Sequence, residues 1–487
     1  MAPPLEERPT SSLGEVLRLS IPASLTMLGT TVIRFVDGLM VARLGGTLGA
    51  VSISAQSAAG ITAFAFEALA MGTLTVVNTY VGQNLGARRY GQCGVYAWAG
   101  VRIALLTAIM LAPLALLAGP IFRVYGHPAQ VQPLEAMYFR YMMLACFLTL
   151  PAAVLESFFF GLHRSGTVFA VSVISNSLNV LLNYALIYGE FGLPRLELQG
   201  AAIGSLLAWG VRLLILLGLF LRPAISRQYH TRKLRQVRWS HCRDIVRVGW
   251  PAGVTFWNDV FTWSVFLNLL VAPFGMEHFT ATSIVFRYIP LSFMPAVGIG
   301  IAATAITGRY IGAGRPDLAR RRTHTALKVA MVYMGACGLA FLLFGGQMVQ
   351  FFVRLTPGQG AEQISQEVLA RLVGVGRDVM ICAAVFQLFD AVGIVYIGAL
   401  RGAGDTRWPM LAVLLLSWSV IVGGGYAMVR GLPQLGSIGP WLTASLYVVI
   451  LGVLMAWRFE TGRWQRIDLL HRPPDKRAAA PDGTAAG

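Results

Sequence analysis

The sequence predicts an all-α polytopic membrane protein with twelve transmembrane helices in two pseudo-symmetric six-helix bundles. Three observations lead to this fold class. Hydrophobic residues make up 56% of the 487 residues and charged residues 13%, with a mean hydropathy of +0.63. The apolar residues recur in runs of about 20 or more, the length at which a helix crosses a bilayer. Similar segments also return in the same order in the two halves of the chain.

The apolar runs and the turn residues between them divide the chain into about twelve spans. Many runs contain Gly and Pro, which membrane helices tolerate, and they lack the alternation typical of barrel strands. We predict spans at residues 14–42, 50–80, 91–119, 133–160, 167–189, 198–221, 245–273, 279–308, 322–346, 372–399, 407–430 and 436–457.

These spans define the predicted domains. An N-terminal tail at 1–13 precedes a first lobe at 14–221, a basic linker at 222–244 and a second lobe at 245–457. The C-terminal tail at 458–487 is charged and then rich in Ala and Pro, so we expect it to be disordered.

The net charge of +17 indicates membrane topology rather than nucleic-acid binding. Lys and Arg concentrate in the loops 222–247 and 309–328 and in the C-terminal tail, without the interleaved stacking aromatics of a nucleic-acid site. Such an excess marks the cytoplasmic side, so we expect both termini to be cytoplasmic in a multi-pass protein of the cell inner membrane. The five cysteines are scattered and predict neither a disulfide framework nor a metal site.

Four short segments of the first half have similar counterparts, in the same order, in the second half. Residues 16–23 return as 245–252, 82–87 as 308–313, 162–167 as 400–405, and 192–194 with Gly200 as 431–433 with Gly439. Six spans per half give both halves the same orientation, related by an axis along the membrane normal. Repeats of this kind place the substrate site near the midplane, and transport occurs as one lobe rocks against the other.

One apolar stretch, 386–406, contains a carboxylate, Asp390, near its start and ends in a basic, Gly-rich turn. A charge in lipid is costly, so this acid is expected to line a cavity or to pair with another group. A hydrogen bond that only holds a neighbouring helix is the alternative.

Several motifs together resemble those of the multidrug and toxic compound extrusion (MATE) transporters, and of their NorM-like branch in particular. They are Pro22 with 35–38, the loop 82–87, the Asn179 and Asn183 pair with Gly189, Pro194 and 200–202, Pro251 with Asp259, and the stretch 386–406. The resemblance covers residues 14–457. It implies export of amphiphilic organic cations, driven by inward movement of Na⁺ or H⁺.

The resemblance also implies cation-coupling roles for Asp37, Asp259 and Asp390. This chain departs from the branch pattern at two positions. Asp259 stands where the family usually has Glu, and Phe386 stands one turn before Asp390, where a Tyr can occur.

The second lobe has oxygen atoms suited to a small hard cation. Thr255 and Thr262 fall at i−4 and i+3 from Asp259, and Gln387 falls at i−3 from Asp390. Two carboxylates with neutral oxygens suit Na⁺, with Asp259 and Asp390 as its ligands. Close carboxylates also favour retention of a proton, so Na⁺ and H⁺ both stay open.

In the first lobe, Arg34 lies one turn before Asp37, and Asn179 and Asn183 lie one turn apart in span 5. The two asparagines are candidates to complete a polar cluster with Asp37. Arg34 either pairs with Asp37 and stabilises its charge, or extends outward and leaves it free.

Span 8 contains two prolines, Pro290 and Pro295, which predict a helix distortion. Both a bend used in gating and a passive kink are compatible with them.

Two alternative functions fit less well. A flippase or exporter of lipid-linked oligosaccharide would line its cavity with Arg and Lys for pyrophosphate, whereas the deep charges here are mostly acids. An enzyme would need a metal motif, a phosphate loop or a nucleophile with its base, and the sequence contains no such motif. We therefore expect a non-enzymatic monomer without a cofactor beyond its coupling ion. Its expected partners are small amphiphilic cations and the lipid bilayer, not nucleic acid.

Overall fold

The computed structural model describes residues 11–233, 236–355 and 366–470, except for the side chains of residues 354 and 355. Regular secondary structure in these ranges is helical, and twelve helices are long and apolar enough to cross a membrane. The predicted fold class is thereby confirmed. Most of the two predicted tails (1–10 and 471–487) and residues 234 and 235 of the predicted linker lie outside the described residues.

The first lobe, as we use the term, consists of helices α1 to α9. Their bounds are α1 (Ser12–Ala42), α2 (Gly46–Leu74), α3 (Val76–Gly86), α4 (Tyr90–Leu111), α5 (Ala118–Val124), α6 (Gln132–Gly161), α7 (Ser165–Tyr188), α8 (Glu197–Leu221) and α9 (Pro223–Tyr229). The second lobe consists of α10 (Trp239–Val265), α11 (Met276–Gly312), α12 (Pro316–Leu355), α13 (Gln366–Ala403), α14 (Arg407–Leu416), α15 (Gly425–Gly431) and α16 (Ile438–Glu460).

Three spans contain irregularities that the hydropathy pattern does not predict. Span 2 is divided at Thr75, whose hydroxyl donates to the Gly72 carbonyl (2.6 Å). Span 7 continues beyond α10 as a π-helical segment, Phe266–Val271, and span 11 contains another, Ser417–Gly424. Such π-helical turns are frequent near functional sites.

The last helix extends beyond its predicted end and continues into an ordered segment. After Glu460, Trp464 is fully buried, and its ring stacks on Phe459 with centroids 4.9 Å apart. Arg458 pairs with Asp405 at 2.8 Å. The beginning of the predicted C-terminal tail therefore packs against the second lobe, and at residues 469 and 470 it also contacts the first lobe.

Buried apolar side chains form one large cluster in each half of the chain, and a smaller third cluster joins α1 to α11, α12 and α13. Small residues bring the halves together. A Cβ atom on Gly72 of α2 would lie 2.7 Å from the Ala252 carbonyl oxygen of α10, and Gly298 of α11 packs equally closely on Ser24 of α1. Glycine permits this close backbone approach, because any side chain would separate the helices.

The lobes meet closely at the end of the helices where α3 packs against α11 and α13, and we call this end the closed face. There Gln83 donates to the Gly402 carbonyl (3.0 Å) and Thr79 donates to the Arg401 carbonyl (2.9 Å). Both described ends of the chain lie at this face. Glu15 contacts the second lobe, and the Leu470 carbonyl accepts a hydrogen bond from Arg89 of the first lobe (3.0 Å).

Candidate functional site

Asp37 of α1 forms a polar chain with α7 and α8. Asn183 Nδ2 donates to Asp37 Oδ1 (2.8 Å) and lies 3.4 Å from the Asn179 side-chain oxygen. Asn179 in turn donates to the Ser205 hydroxyl (3.2 Å). The structure thus brings together the three first-lobe residues predicted to cluster, and it adds Ser205. Asp37 itself is half-buried.

Arg34 does not form an ion pair with Asp37 among the residues that the structure describes. Its guanidinium carbon lies 5.4 Å from the centre of the Phe64 ring, and the side chain is exposed. It still interacts electrostatically with Asp37 and with Glu67 of α2. The Arg34 guanidinium therefore acts on the Asp37 carboxylate through space, without a direct ion pair.

Asp259 of α10 and Asp390 of α13 belong to one electrostatic cluster in the second lobe. Asp259 interacts with Asp390 and with Arg401, and Tyr447 of α16 interacts with both acids. Both acids are half-buried, and neither forms a hydrogen bond or an ion pair with another described residue. Asp259 is thus influenced by a second acid, Asp390, and by one guanidinium, Arg401.

The neutral residues predicted around these acids differ in their hydrogen bonding. The Thr255 hydroxyl donates to the Pro251 carbonyl of its own helix (2.9 Å), whereas the buried Thr262 hydroxyl has no hydrogen-bond partner in the described chain. Gln387 donates to the Ser292 hydroxyl (2.9 Å), and its buried side-chain oxygen is unpartnered within the same residues. Thr262 and Gln387 thus retain polar capacity inside the lobe, whereas Thr255 is engaged with its backbone.

Helix α11 continues through both Pro290 and Pro295. Pro295 lacks an N–H group and cannot satisfy the Leu291 carbonyl one turn earlier. Instead, the Tyr333 hydroxyl of α12 donates to this carbonyl (3.0 Å), and the Pro295 carbonyl accepts from Ser24 of α1 (2.6 Å). Neighbouring helices therefore compensate for the proline, as the membrane interior requires. The proposed gating bend stays a prediction.

Arg401 connects the acid cluster to the closed face. Its side chain interacts electrostatically with Asp259, and its backbone carbonyl is bound by Thr79 of the first lobe. The sequence motif that contains Arg401 predicts no role for it. Nor does the sequence predict that Tyr447 interacts with the two acids, or that Ser292 and Ser205 bond to Gln387 and Asn179. A Tyr or Ser within an apolar helix carries no periodic signal that would separate it from packing residues.

Residues 22–185 and 259–424 match the MatE family model. The "Probable multidrug resistance protein NorM" of Burkholderia pseudomallei is 28% identical over 449 residues, which cover 91% of this chain and 92% of that protein. The protein of the same name from Thermotoga maritima is 27% identical over 470 residues, which cover 94% of each chain.

Solved structures agree with this result at the level of the fold. An outward-facing multidrug resistance MATE family transporter of the MOP superfamily has a TM-score of 0.80 at 20% identity, over 94% of this chain and 97% of that chain. A eukaryotic MATE transporter has a TM-score of 0.78 at 18% identity, over 93% and 96% of the two chains.

The family match covers most of both lobes, and these relatives are membrane transporters rather than enzymes. The chain therefore belongs to the MatE family of multidrug and toxic compound extrusion transporters.

Proposed function

We propose that this protein is a secondary antiporter that exports amphiphilic organic cations in exchange for Na⁺ or H⁺ moving inward. The exchange proceeds by alternating access between the two lobes. The protein acts as a monomer in the cell inner membrane, with both termini in the cytoplasm.

The proposal rests mainly on the cluster of Asp259 and Asp390. Asp259 and Asp390 are half-buried, Asp390 acts electrostatically on Asp259, and Asp259 also interacts with the Arg401 guanidinium. Such a site is stabilised when a cation or a proton enters, because the added charge reduces the repulsion between the acids. Na⁺ would bind to the carboxylate oxygens, and H⁺ would bind to one of them. Either ion would leave the cluster less negative and thereby weaken its attraction for a cationic drug.

Asp37 supports a second acidic site in the first lobe. Asn183 fixes the orientation of this carboxylate with one hydrogen bond, and Arg34 contributes positive charge from a distance. An acid in each lobe allows ion binding on one side of the substrate pathway to influence drug binding on the other, which exchange requires.

The closed face supports alternating access. The lobes are joined there by side-chain to backbone hydrogen bonds such as that from Gln83 to Gly402. Asp244 and Arg309, in the basic segments 236–247 and 309–328, contact the other lobe at this face. An excess of Lys and Arg is typical of the cytoplasmic side. With the closed face in the cytoplasm, the lobes would be joined on the cytoplasmic side, and access to the site would be from the opposite side.

The test is drug efflux from vesicles in which Na⁺ and pH gradients are imposed separately. Wild type is compared with Asp37→Asn, Asp259→Asn and Asp390→Asn, and with Asp378→Asn as a control, because Asp378 is an exposed acid on the same helix as Asp390. We expect one gradient to drive efflux, with loss in the Asp259 and Asp390 variants and full activity in the control. Undiminished gradient-driven efflux in all three variants would remove the coupling assignment. If the vesicles flip labelled lipid and do not transport cationic dyes, the cargo is a lipid and not an organic cation.

A further inference from the structure

Glu15, in the first turn of α1, reaches from the first lobe into the second. Its Oε2 atom accepts a hydrogen bond from the Tyr310 hydroxyl (2.8 Å) and lies 3.0 Å from Nε of Arg322. Arg309 Nη1 is 3.8 Å from the other carboxylate oxygen. Only 11% of the Glu15 side chain and 17% of the Arg322 side chain are exposed, so salt screens this ion pair weakly.

Asp244, near the start of α10, makes the corresponding contact from the second lobe to the first. Its Oδ2 atom accepts a hydrogen bond from the Tyr96 hydroxyl of α4 (3.1 Å). Its backbone carbonyl accepts a second bond, from the Tyr80 hydroxyl of α3 (3.1 Å). The two tyrosine rings stack with centroids 4.4 Å apart. An acid of the second lobe is thus held by two tyrosines of the first lobe.

The internal repeat relates these two contacts. Glu15 and Asp244 each directly precede the echoed segment that opens the lobe. Their partners correspond as well, since Tyr96 and Arg322 each stand six residues after the first residue of α4 and α12. Each lobe therefore presents an acid from its first span to the third span of the other lobe, at matching positions.

We propose that Glu15 and Asp244 are a reciprocal pair of gate residues, which hold the closed face together and must both release before the lobes can separate there. The inference deepens the proposed function, because it rests on alternating access. The two contacts differ in chemistry. Glu15 forms an ion pair with a partly buried guanidinium, whereas Asp244 accepts a bond from a neutral hydroxyl.

Lobe separation can be measured by double electron–electron resonance between two spin labels. The full-length protein is used in lipid nanodiscs, without a drug or an ion gradient. Spin labels at Gln92→Cys and Arg321→Cys lie on exposed positions of opposite lobes. The five native cysteines are first replaced by serine. Wild type is compared with Glu15→Gln, which keeps an acceptor for Tyr310, and with Tyr96→Phe, which keeps the stacked ring. Asp317→Asn, an exposed acid in the first turn of α12, is the control.

We expect wild type and the control to give one short distance. Glu15→Gln and Tyr96→Phe should each lower the ratio of closed to separated lobes about tenfold, since each removes a bond to a charged group. The double variant should lower the ratio further. An unchanged distance distribution in folded Glu15→Gln and Tyr96→Phe would overturn the proposal, and a change in only one of them would overturn its reciprocal form.

The experiment separates this inference from the proposed function. The distances require neither a substrate nor a coupling ion, so the gate contacts can be established even if drug export fails in vesicles. Normal drug efflux together with unaltered distances in both variants would refute the gate role of Glu15 and Asp244 and leave the antiporter assignment intact.

Discussion

Asn183 donates a hydrogen bond to the Asp37 carboxylate across 2.8 Å and so joins α7 to α1 inside the first lobe. The bond orients the one first-lobe acid that the proposed exchange uses. Asn183→Ala should therefore reduce the initial rate of drug efflux about tenfold, the usual effect of losing a hydrogen bond to a charged group. The rate is measured in vesicles at equal protein levels. Asn268→Ala is the control, because Asn268 is exposed and bonds only to its own helix. An unchanged rate in Asn183→Ala would argue against a role for Asp37.

Tyr333 compensates for the hydrogen bond that Pro295 cannot form. Tyr333→Phe should lower the free energy of unfolding by about 1 kcal/mol, because it leaves the Leu291 carbonyl without a donor in an apolar region. In a Pro295→Ala background the same change should cost little, since the N–H group of the new alanine can bond to that carbonyl. Chemical unfolding of all four proteins in detergent measures the difference. Equal losses in both backgrounds would contradict this account of the proline.

Glu156 of α6 and Arg212 of α8 form an ion pair at 2.6 Å, with 14% and 13% of the two side chains exposed. Arg212→Met should lower the free energy of unfolding by about 3 kcal/mol, because it leaves a carboxylate without its counter-ion. Glu156→Leu combined with Arg212→Met should recover most of this loss, since neither charge is then buried. The exposed pair of Glu367 and Arg371 provides the control, and Arg371→Met should have little effect. If the double variant is no more stable than the single variant, the pair is not the cause.

His163, in the loop between α6 and α7, lies at the closed face as a neutral ring. Its Nε2–H group donates to the Ala305 carbonyl (3.2 Å), and its Nδ1 atom accepts from Arg309 (3.4 Å). Burial, and secondarily the Arg309 guanidinium, lower the pKa of His163 from 6.5 to about 3. When the lobes separate and water reaches the ring, its pKa should return toward the ordinary value of about 6.5.

The separated state then binds more protons than the closed state between those two pKa values. The contribution of His163 to closure is therefore complete above about pH 6.5 and is lost progressively as the pH falls toward 3. The spin-label pair at positions 92 and 321 should report more separated lobes at pH 5 than at pH 7.5. His163→Phe should reduce this pH dependence, and the same pH dependence with and without the histidine would refute the assignment.

Much of the fold could be predicted from the sequence, because a run of apolar residues long enough to cross a bilayer is a local property of the chain. Asp390 could also be singled out as a charge within such a run. Asp37 and Asp259 could be named as candidates through the resemblance to MATE transporters. Their neighbours could not. Tyr447 and Ser205 contribute to the sites only through the packing of other helices, which one helix's periodicity does not encode.

The irregular helical segments could not be predicted from the sequence for a related reason. The π-helical turns at Phe266–Val271 and Ser417–Gly424 have the same apolar composition as the helices around them. The division at Thr75 depends on a hydroxyl that bonds to its own backbone. Each feature results from a small difference in backbone geometry, to which hydropathy is insensitive.

The crossed contacts at the chain ends have a consequence for biogenesis. Glu15 is bound by residues of α11 and α12, and Arg89 is bound by the carbonyl of Leu470. Helix α1 is synthesised well before α11 and α12, and must therefore wait in the bilayer for these partners. During that interval the nascent first lobe exposes the packing surface at Gly72 and the unpaired Glu15 carboxylate, and exposed surface of this kind makes an incomplete chain prone to misassembly.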